Sequence, residues 1–278
     1  MEIKINGQTA DITVDSEKTV GEVISGLDQW ISNTGHRLSG IAIDGQSADS
    51  ASVEEFFSRE IDKVKTLDLY TCSIADLCVQ SFLSICGDID EFENMDFAKR
   101  QAFCENWSNS PQARFAAEQM PDFFSLCVQV FSGSGTNCET LRAMTEERLR
   151  EVESPAAELT GIGTIVNETC AMLADLPLDI QTGKDARAAQ TIQIFSGIAV
   201  KILRIVKILN LQGLVPEAIK ESINEFSESA KELLEAYERH DTVIVGDIAE
   251  YEMAPKLQKL YTAIEENNKL LMEQHGIK

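Results

Sequence analysis

Lys201, Arg204 and Lys207 step by three through a segment of helical periodicity, and Lys184 and Arg187 stand just before them. Five cations at that spacing could bind an anionic ligand or an acidic partner segment. The favoured expectation is internal: acidic helices such as 216–239, with Glu217, Glu221, Glu225, Glu228, Glu232 and Glu235, pair with the stripe inside the molecule. A second constellation is Asp247 with Glu250, an i, i+3 pair able to share a metal ion or a proton, with His240 or Asp241 near it in sequence. Ligand stock is small, because the chain has three histidines (36, 240 and 275) and no Glu-x-x-His of the diiron-bundle type. The alternative is a surface helix with solvated charges, in which Ile244, Ile248 and Tyr251 face a bundle and Pro255 introduces a kink.

The remaining motifs fail on chemistry. Gly183-Lys184 invites a phosphate-loop reading, but Leu178 stands where the loop needs its first glycine, and Asp185 where it needs the hydroxyl that ligates magnesium. Asp185 is better read as the N-cap of a long helix. Gly161-Ile162-Gly163 lacks the third glycine of a dinucleotide fingerprint and is expected to be a helix-ending turn or a close helix crossing. The acidic stretch 87–96 has Phe92 and Glu93 where a calcium loop requires a ligand and a glycine, so a solvated acidic loop is expected there. Cys78, Phe82 and Cys86 share one helix face, a placement that suits core packing and not a thiolate. No Gly-x-Ser-x-Gly or His-Glu-x-x-His occurs. No catalytic residue and no cofactor is expected.

The elements that would position these residues divide the chain near residue 72. From residue 74 onward, punctuation marks helices at 74–87, 95–107, 111–131 (opened by Pro111 and interrupted by Pro121), 138–153, 156–175, 185–211, 216–239 and 241–274. Pro155, Pro177 and Pro216 fall at the connections, and Gly133-Ser134-Gly135-Thr136 reads as a flexible joint near 132–137. Ala188, Ile192, Phe195, Ala199, Ile202, Val206 and Leu209 alternate steps of four and three, the seam of a helix packed at a shallow angle. Short connections favour an antiparallel arrangement.

Before residue 72 the alternation is two-residue. Residues 1–5 form a strand, Asn6-Gly7 a hairpin turn, and 9–14 the returning strand. Thr19 with Glu22 is a capping box opening an amphipathic helix through Val20, Val23, Ile24, Leu27 and Ile31. Residues 38–44 form a third strand closed by Asp44-Gly45, Ser52 with Glu55 caps a short helix, and 64–71 is the last strand. This β-β-α-β-α-β order, with the opening Met1-Glu2-Ile3-Lys4-Ile5-Asn6-Gly7 and the Thr19-Val20 helix start, resembles the ubiquitin-like β-grasp superfamily. Its nearest likeness is to sulfur-carrier proteins. Those carriers act through a C-terminal diglycine, whereas here the last strand runs into Tyr70-Thr71-Cys72-Ser73 and the helical segment. The resemblance therefore implies a docking module and not carrier chemistry.

The fold class expected is α+β in two domains: a β-grasp domain at 1–72 and an all-α antiparallel helical bundle at 73–278. A chain of 278 residues, 44% hydrophobic and 25% charged, supports packed cores and excludes a disordered or low-complexity chain. With 46 acidic against 24 basic residues its formal charge is -22, which repels nucleic-acid phosphates and anionic lipid surfaces. The most apolar run, 191–211, contains Lys201, Arg204 and Lys207 and so reads as a core helix, not a membrane span. No secretory signal is seen, and seven cysteines without a Cys-x-x-Cys pair fit reduced cytoplasmic thiols. These features point to a non-enzymatic cytoplasmic adaptor or protein-interaction protein with a protein partner. The alternative is an enzyme or a small-ligand or metal-binding protein with a site in the bundle or between the domains. Self-assembly into a homo-oligomer through an apolar face is a third reading.

Overall fold

The computed structural model describes residues 1–14, 16–48, 53–133 and 137–275. Strands β1 (Glu2–Ile5) and β2 (Gln8–Thr9) form a hairpin. Asn6 and Gly7 make its turn at φ 50° and 79°, the left-handed region where these two residue types cost least. Helix α1 (Val20–Asn33) opens on the expected capping box: the Thr19 hydroxyl accepts from Glu22 N, and the Glu22 carboxylate accepts from Thr19 N. Strands β3 (His36–Ile43) and β4 (Gln46–Ser47) flank Asp44-Gly45. Helix α2 (Val53–Ser58) and a 3-10 turn (Ile61–Lys63) lead into β5 (Thr66–Ser73).

The five strands form one mixed sheet in the order β2-β1-β5-β3-β4, with β1 and β5 parallel and the other pairs antiparallel. Ile3, Ile43, Leu67 and Leu69 project from the sheet onto Val20, Val23, Ile24 and Ile31 of α1, and all eight are buried. The returning strand is shorter than the expected 9–14, β4 is additional to the expected order, and Ser52 lies outside the described residues. Asp44 fastens the β3–β4 turn to β5, because its Oδ1 accepts from Lys65 N at 2.9 Å and Thr66 N at 2.8 Å. The Thr66 backbone bond, with the Lys65 backbone bond and against the opposing effect of desolvation, holds the Asp44 carboxyl below its ordinary 3.8. A depressed carboxyl stabilises the fold above its unfolded value and ceases to do so as pH falls through its folded one. Asp44→Ala should therefore melt below the parent at pH 7, and thermal scans in increasingly acid buffer should show the gap closing below about pH 4.

By contacts the chain divides into two compact units, Met1–Thr145 and Glu146–Lys278. In the first, β5 passes directly into α3 (Ile74–Glu93), capped by the Ser73 hydroxyl. Helices α4 (Phe97–Trp107), α5 (Pro111–Gln119) and α6 (Pro121–Phe131) follow, the last two separated at Pro121 as expected. Helix α3 does not stop at Gly87. A glycine costs a helix only about 1 kcal/mol relative to alanine, and Ile85, Ile89 and Phe92 keep the buried stripe in register across it. The stretch 87–96, expected as a solvated loop, is thus mostly helix, with Asp90 and Glu93 bound to Arg142 at 2.6 and 2.7 Å. Cys78 and Phe82 are core residues, and Phe82 meets Phe123 edge-on at 5.3 Å. Helix α7 (Cys138–Glu153) has the expected bounds and contributes residues to both units. The 134–136 part of the expected joint lies outside the described residues.

The second unit contains α8 (Pro155–Gly161), α9 (Gly163–Gln181), α10 (Asp185–Leu211), α11 (Glu217–Glu238), α12 (Thr242–Ile248), a π-helical turn (Ala249–Met253) and α13 (Ala254–His275). Every residue of the four-and-three seam in α10 is buried, as its spacing requires. Pro177, expected at a connection, lies inside α9, where the buried Leu173, Leu176 and Asp179 carry the helix through it. Gly246 of α12 packs over that proline: a Cβ there would stand 3.3 Å from the Pro177 Cβ. The expected inward face of the 241–274 segment holds at Ile248, which packs against the core, and is corrected at its other two residues. Ile244 and Tyr251 are 42% and 70% exposed, while Val245, Ala249 and Met253 are buried. The π turn widens the helix, so a step of four keeps the buried side facing inward, and Tyr251 is turned out. Pro255 follows directly as the second residue of α13, where a widened turn accommodates its missing N–H.

Candidate functional site

The basic stripe is the centre of an ion network. Glu147 and Glu151, one turn apart on α7, face Lys201 and Arg204, one turn apart on α10. The Lys201 ammonium lies 2.7 Å from Glu147, 3.0 Å from Glu158 of α8 and 3.7 Å from Glu151. Arg204 holds Glu151 in a two-bond fork, Nε to Oε2 at 2.9 Å and the terminal nitrogen to Oε1 at 2.6 Å. Arg150 adds a contact to Glu158 at 3.4 Å. The Glu151 side chain is 3% exposed and that of Lys201 14%, so the centre of the network is dry.

Burial alone would push the Glu147 carboxyl up, but Lys201, Arg204 and Arg150 outweigh it and hold it below its ordinary value. Burial alone would likewise push the Lys201 ammonium down, and its bonds to Glu147 and Glu158 raise it instead. Both ions are thereby fixed in the charged state. The expected internal pairing therefore occurs, but with α7 and α8, not with the acidic 216–239 segment. Lys207 lies further along α10 at the surface.

At the start of α10 a second arrangement surrounds Asp179, whose side chain is 2% exposed. Lys184 Nζ lies 3.3 Å from its Oδ1 and Arg187 Nε 3.0 Å from its Oδ2, the latter an ion contact without an aligned hydrogen bond. Arg187 also reaches Asp175 at 3.3 Å. Lys184 occupies the N-cap position, and Asp185, read from sequence as the cap, is the first helical residue. Its carboxylate meets no cation among the described residues.

His240 ends α11 in a left-handed conformation, φ 57°, and borders a cavity of about 200 Å³. Leu176 and Ile180 of α9, Ala188 and Ile192 of α10 and Val245 of α12 make its apolar wall. Asp185, Tyr237, His240 and Thr242 form the polar rim, with Ala189 at the mouth. Asp247 is exposed on α12 and Glu250 half-buried in the π turn, and neither lines this cavity. Among the described residues no group of three His, Cys, Asp or Glu side chains is placed to hold a metal ion. All seven cysteines are free. Cys104 and Cys138 line a cavity of about 690 Å³ in the first unit with Arg100. Burial pushes both thiols up, away from the thiolate that nucleophilic chemistry needs. Glu147, Glu151, Glu158, Asp179 and Tyr237 are the participants that sequence reasoning missed.

Residues 1–73 match the family described as the TP0873 N-terminal domain, and residues 168–263 match a domain of unknown function, DUF8042. An uncharacterized protein of Treponema pallidum (strain Nichols) is 24% identical over 264 residues, spanning 95% of this chain and 96% of that protein. No solved structure gives a significant match. Every residue lining the His240 cavity lies within the second matched segment, whereas Glu147, Glu151 and Glu158 lie between the two. Among the described residues no helix is long and apolar enough to cross a membrane.

Proposed function

We propose that this chain is a non-enzymatic adaptor or protein-interaction protein of the cytoplasm, in which a ubiquitin-like β-grasp module at 1–72 precedes an antiparallel helical bundle at 73–278. The strand order β2-β1-β5-β3-β4, with its central parallel β1–β5 pair and α1 across one face, supports the β-grasp reading. Such a sheet offers edges and a face for docking.

One observation carries the interaction reading. Four of the five cations that could have fixed an anionic substrate, Lys184, Arg187, Lys201 and Arg204, are taken up by Glu147, Glu151, Glu158 and Asp179. Meanwhile Glu221, Glu225, Glu228 and Glu232 stand exposed along α11 and meet no cation among the described residues. The helix's own Lys220 and Lys231 pair with Glu217 and Glu235, so these four carboxylates, on a chain of net charge -22, are complementary to a basic protein surface. The tagged full chain should retain a specific protein from a native lysate of its own cell at about 50 mM salt and release it at about 500 mM, where exposed charges are screened. Recovery of no specific protein at either salt concentration would contradict the proposal.

A further inference from the structure

The cavity beside His240 combines an apolar wall with a polar rim that carries one carboxylate, Asp185. Its volume of about 200 Å³ is below the 300–1,000 Å³ usual for small-molecule sites and suits one inserted side chain. Small residues create the space, since Ala188 stands in the wall and Ala189 at the mouth. In the chain that flanks its residues Tyr237, Thr242 and Val245, Leu234, Tyr237, Val243 and Ile244 all stand at least 36% exposed within eleven residues, a concentration of tyrosine and aliphatic surface of the kind that anchors protein partners.

The electrostatics select the occupant. Lys184 and Arg187, the cations nearest in sequence to Asp185, are engaged by Asp175 and Asp179. The exposed Asp185 carboxylate is left to face whatever enters. A second copy of this chain would bring another charge of -22 against the same rim and is disfavoured. We propose that this cavity is the docking pocket for a basic segment of a protein partner. The segment inserts one aromatic or aliphatic side chain between α9, α10 and the start of α12, and sets its lysines or arginines against Asp185. This inference rests on the interaction reading above and adds to it the place of contact and the partner's chemistry.

The test uses the full chain and labelled synthetic peptides of roughly nine residues, with a central Phe or Leu flanked by Lys and Arg, followed by anisotropy at low salt. Saturable binding is expected, weakened about tenfold or more when the central residue is Ala and abolished when the cations are replaced by Glu. Ala189→Phe fills the mouth from an exposed position and should weaken binding about tenfold; Asp185→Asn should weaken it about threefold and flatten its salt dependence. Circular dichroism establishes that each variant is folded, and the two act at separate rim positions, so one remains decisive if the other unfolds. No saturable peptide binding to the parent chain, equal binding of the Ala-centred peptide, or unchanged affinity in a folded Ala189→Phe chain would overturn the inference. Two further outcomes would do the same: a dimer in light scattering that Ala189→Phe dissolves, or a metabolite co-purifying with the parent chain and lost in that variant. If a lysate partner is retained equally by parent and Ala189→Phe chains, the pocket assignment fails while the interaction reading stands; if the parent retains none, that reading fails.

Discussion

Glu151→Ala should be strongly destabilising to the second unit, costing about 2–3 kcal/mol and lowering its melting temperature by about 5 °C or more. The reason is asymmetry in how buried charges respond to deletion. Glu151 accepts both bonds of the Arg204 fork and stands 3.7 Å from Lys201, in a position where its side chain is 3% exposed. Removing it leaves Arg204, whose side chain is 29% exposed, without its carboxylate partner. Replacing Glu151 and Arg204 together by methionine should recover much of the loss, because neither member of the fork is then left alone while Lys201 keeps Glu147 and Glu158. The pH dependence follows from the two shifts. Glu147 is depressed, so its contribution is present above the ordinary 4.5 and is lost as pH falls through its lower folded value. Lys201 is raised, so its contribution is present below the ordinary 10.5 and is lost as pH rises through its higher folded value. The contribution of the Glu147–Lys201 pair, which Lys201→Met removes, should therefore be flat from about pH 5 to about pH 10 and shrink outside that window. Urea titrations across pH measure it, and a Glu151→Ala cost below about 1 kcal/mol at pH 7 would show that the fork is dispensable.

The reading of sequence succeeded where a local rule acts within a few residues. Asn6-Gly7 and Asp44-Gly45 both adopt positive φ, Thr19 and Glu22 cap each other, and the four-and-three seam of α10 is buried throughout. It failed where the determinant is not local. Strand β4 has two residues, too few for any period to show. The end of α3 was misplaced because apolar periodicity outweighs one glycine, and Tyr251 was placed inward because a π turn shifts the register that a 3.6-residue period assumes. The carboxylates that neutralise the stripe lie 43 to 54 residues before Lys201 and Arg204, a separation over which charge spacing carries no pairing signal. The residue type of His240 suggests a metal ligand, yet apart from Tyr237 of α11 and Thr242 its neighbours at the cavity come from distant parts of the chain, α9, α10 and Val245 of α12. A pocket made by helix crossings becomes visible only once those crossings are known.

One such crossing permits a test with a sign that reverses. Gly163, the first residue of α9, lies under the ring of Tyr261 from α13, whose hydroxyl donates to the Leu159 carbonyl at 3.0 Å. A Cβ on residue 163 would stand 2.7 Å from that oxygen but 3.4 Å from the nearest ring carbon, so the hydroxyl alone forbids it. Tyr261 is 5% exposed and cannot swing aside without opening the core around Leu159, Leu257 and Leu260. Gly163→Ala should therefore cost about 1–3 kcal/mol, the range for overpacking a filled interior. Tyr261→Phe alone should cost about 1 kcal/mol for the lost hydrogen bond, a modest figure because Leu159 O still accepts from Ile162 N. In the Tyr261→Phe background the added methyl meets only ordinary contacts, and alanine's advantage over glycine in a helix should make the same Gly163→Ala change neutral or stabilising by up to about 1 kcal/mol. A double-mutant cycle read by urea denaturation should thus give a coupling of about 1–4 kcal/mol. Additive costs would mean that the helices separate freely at this point, and that the glycine answers to some demand other than the tyrosine above it.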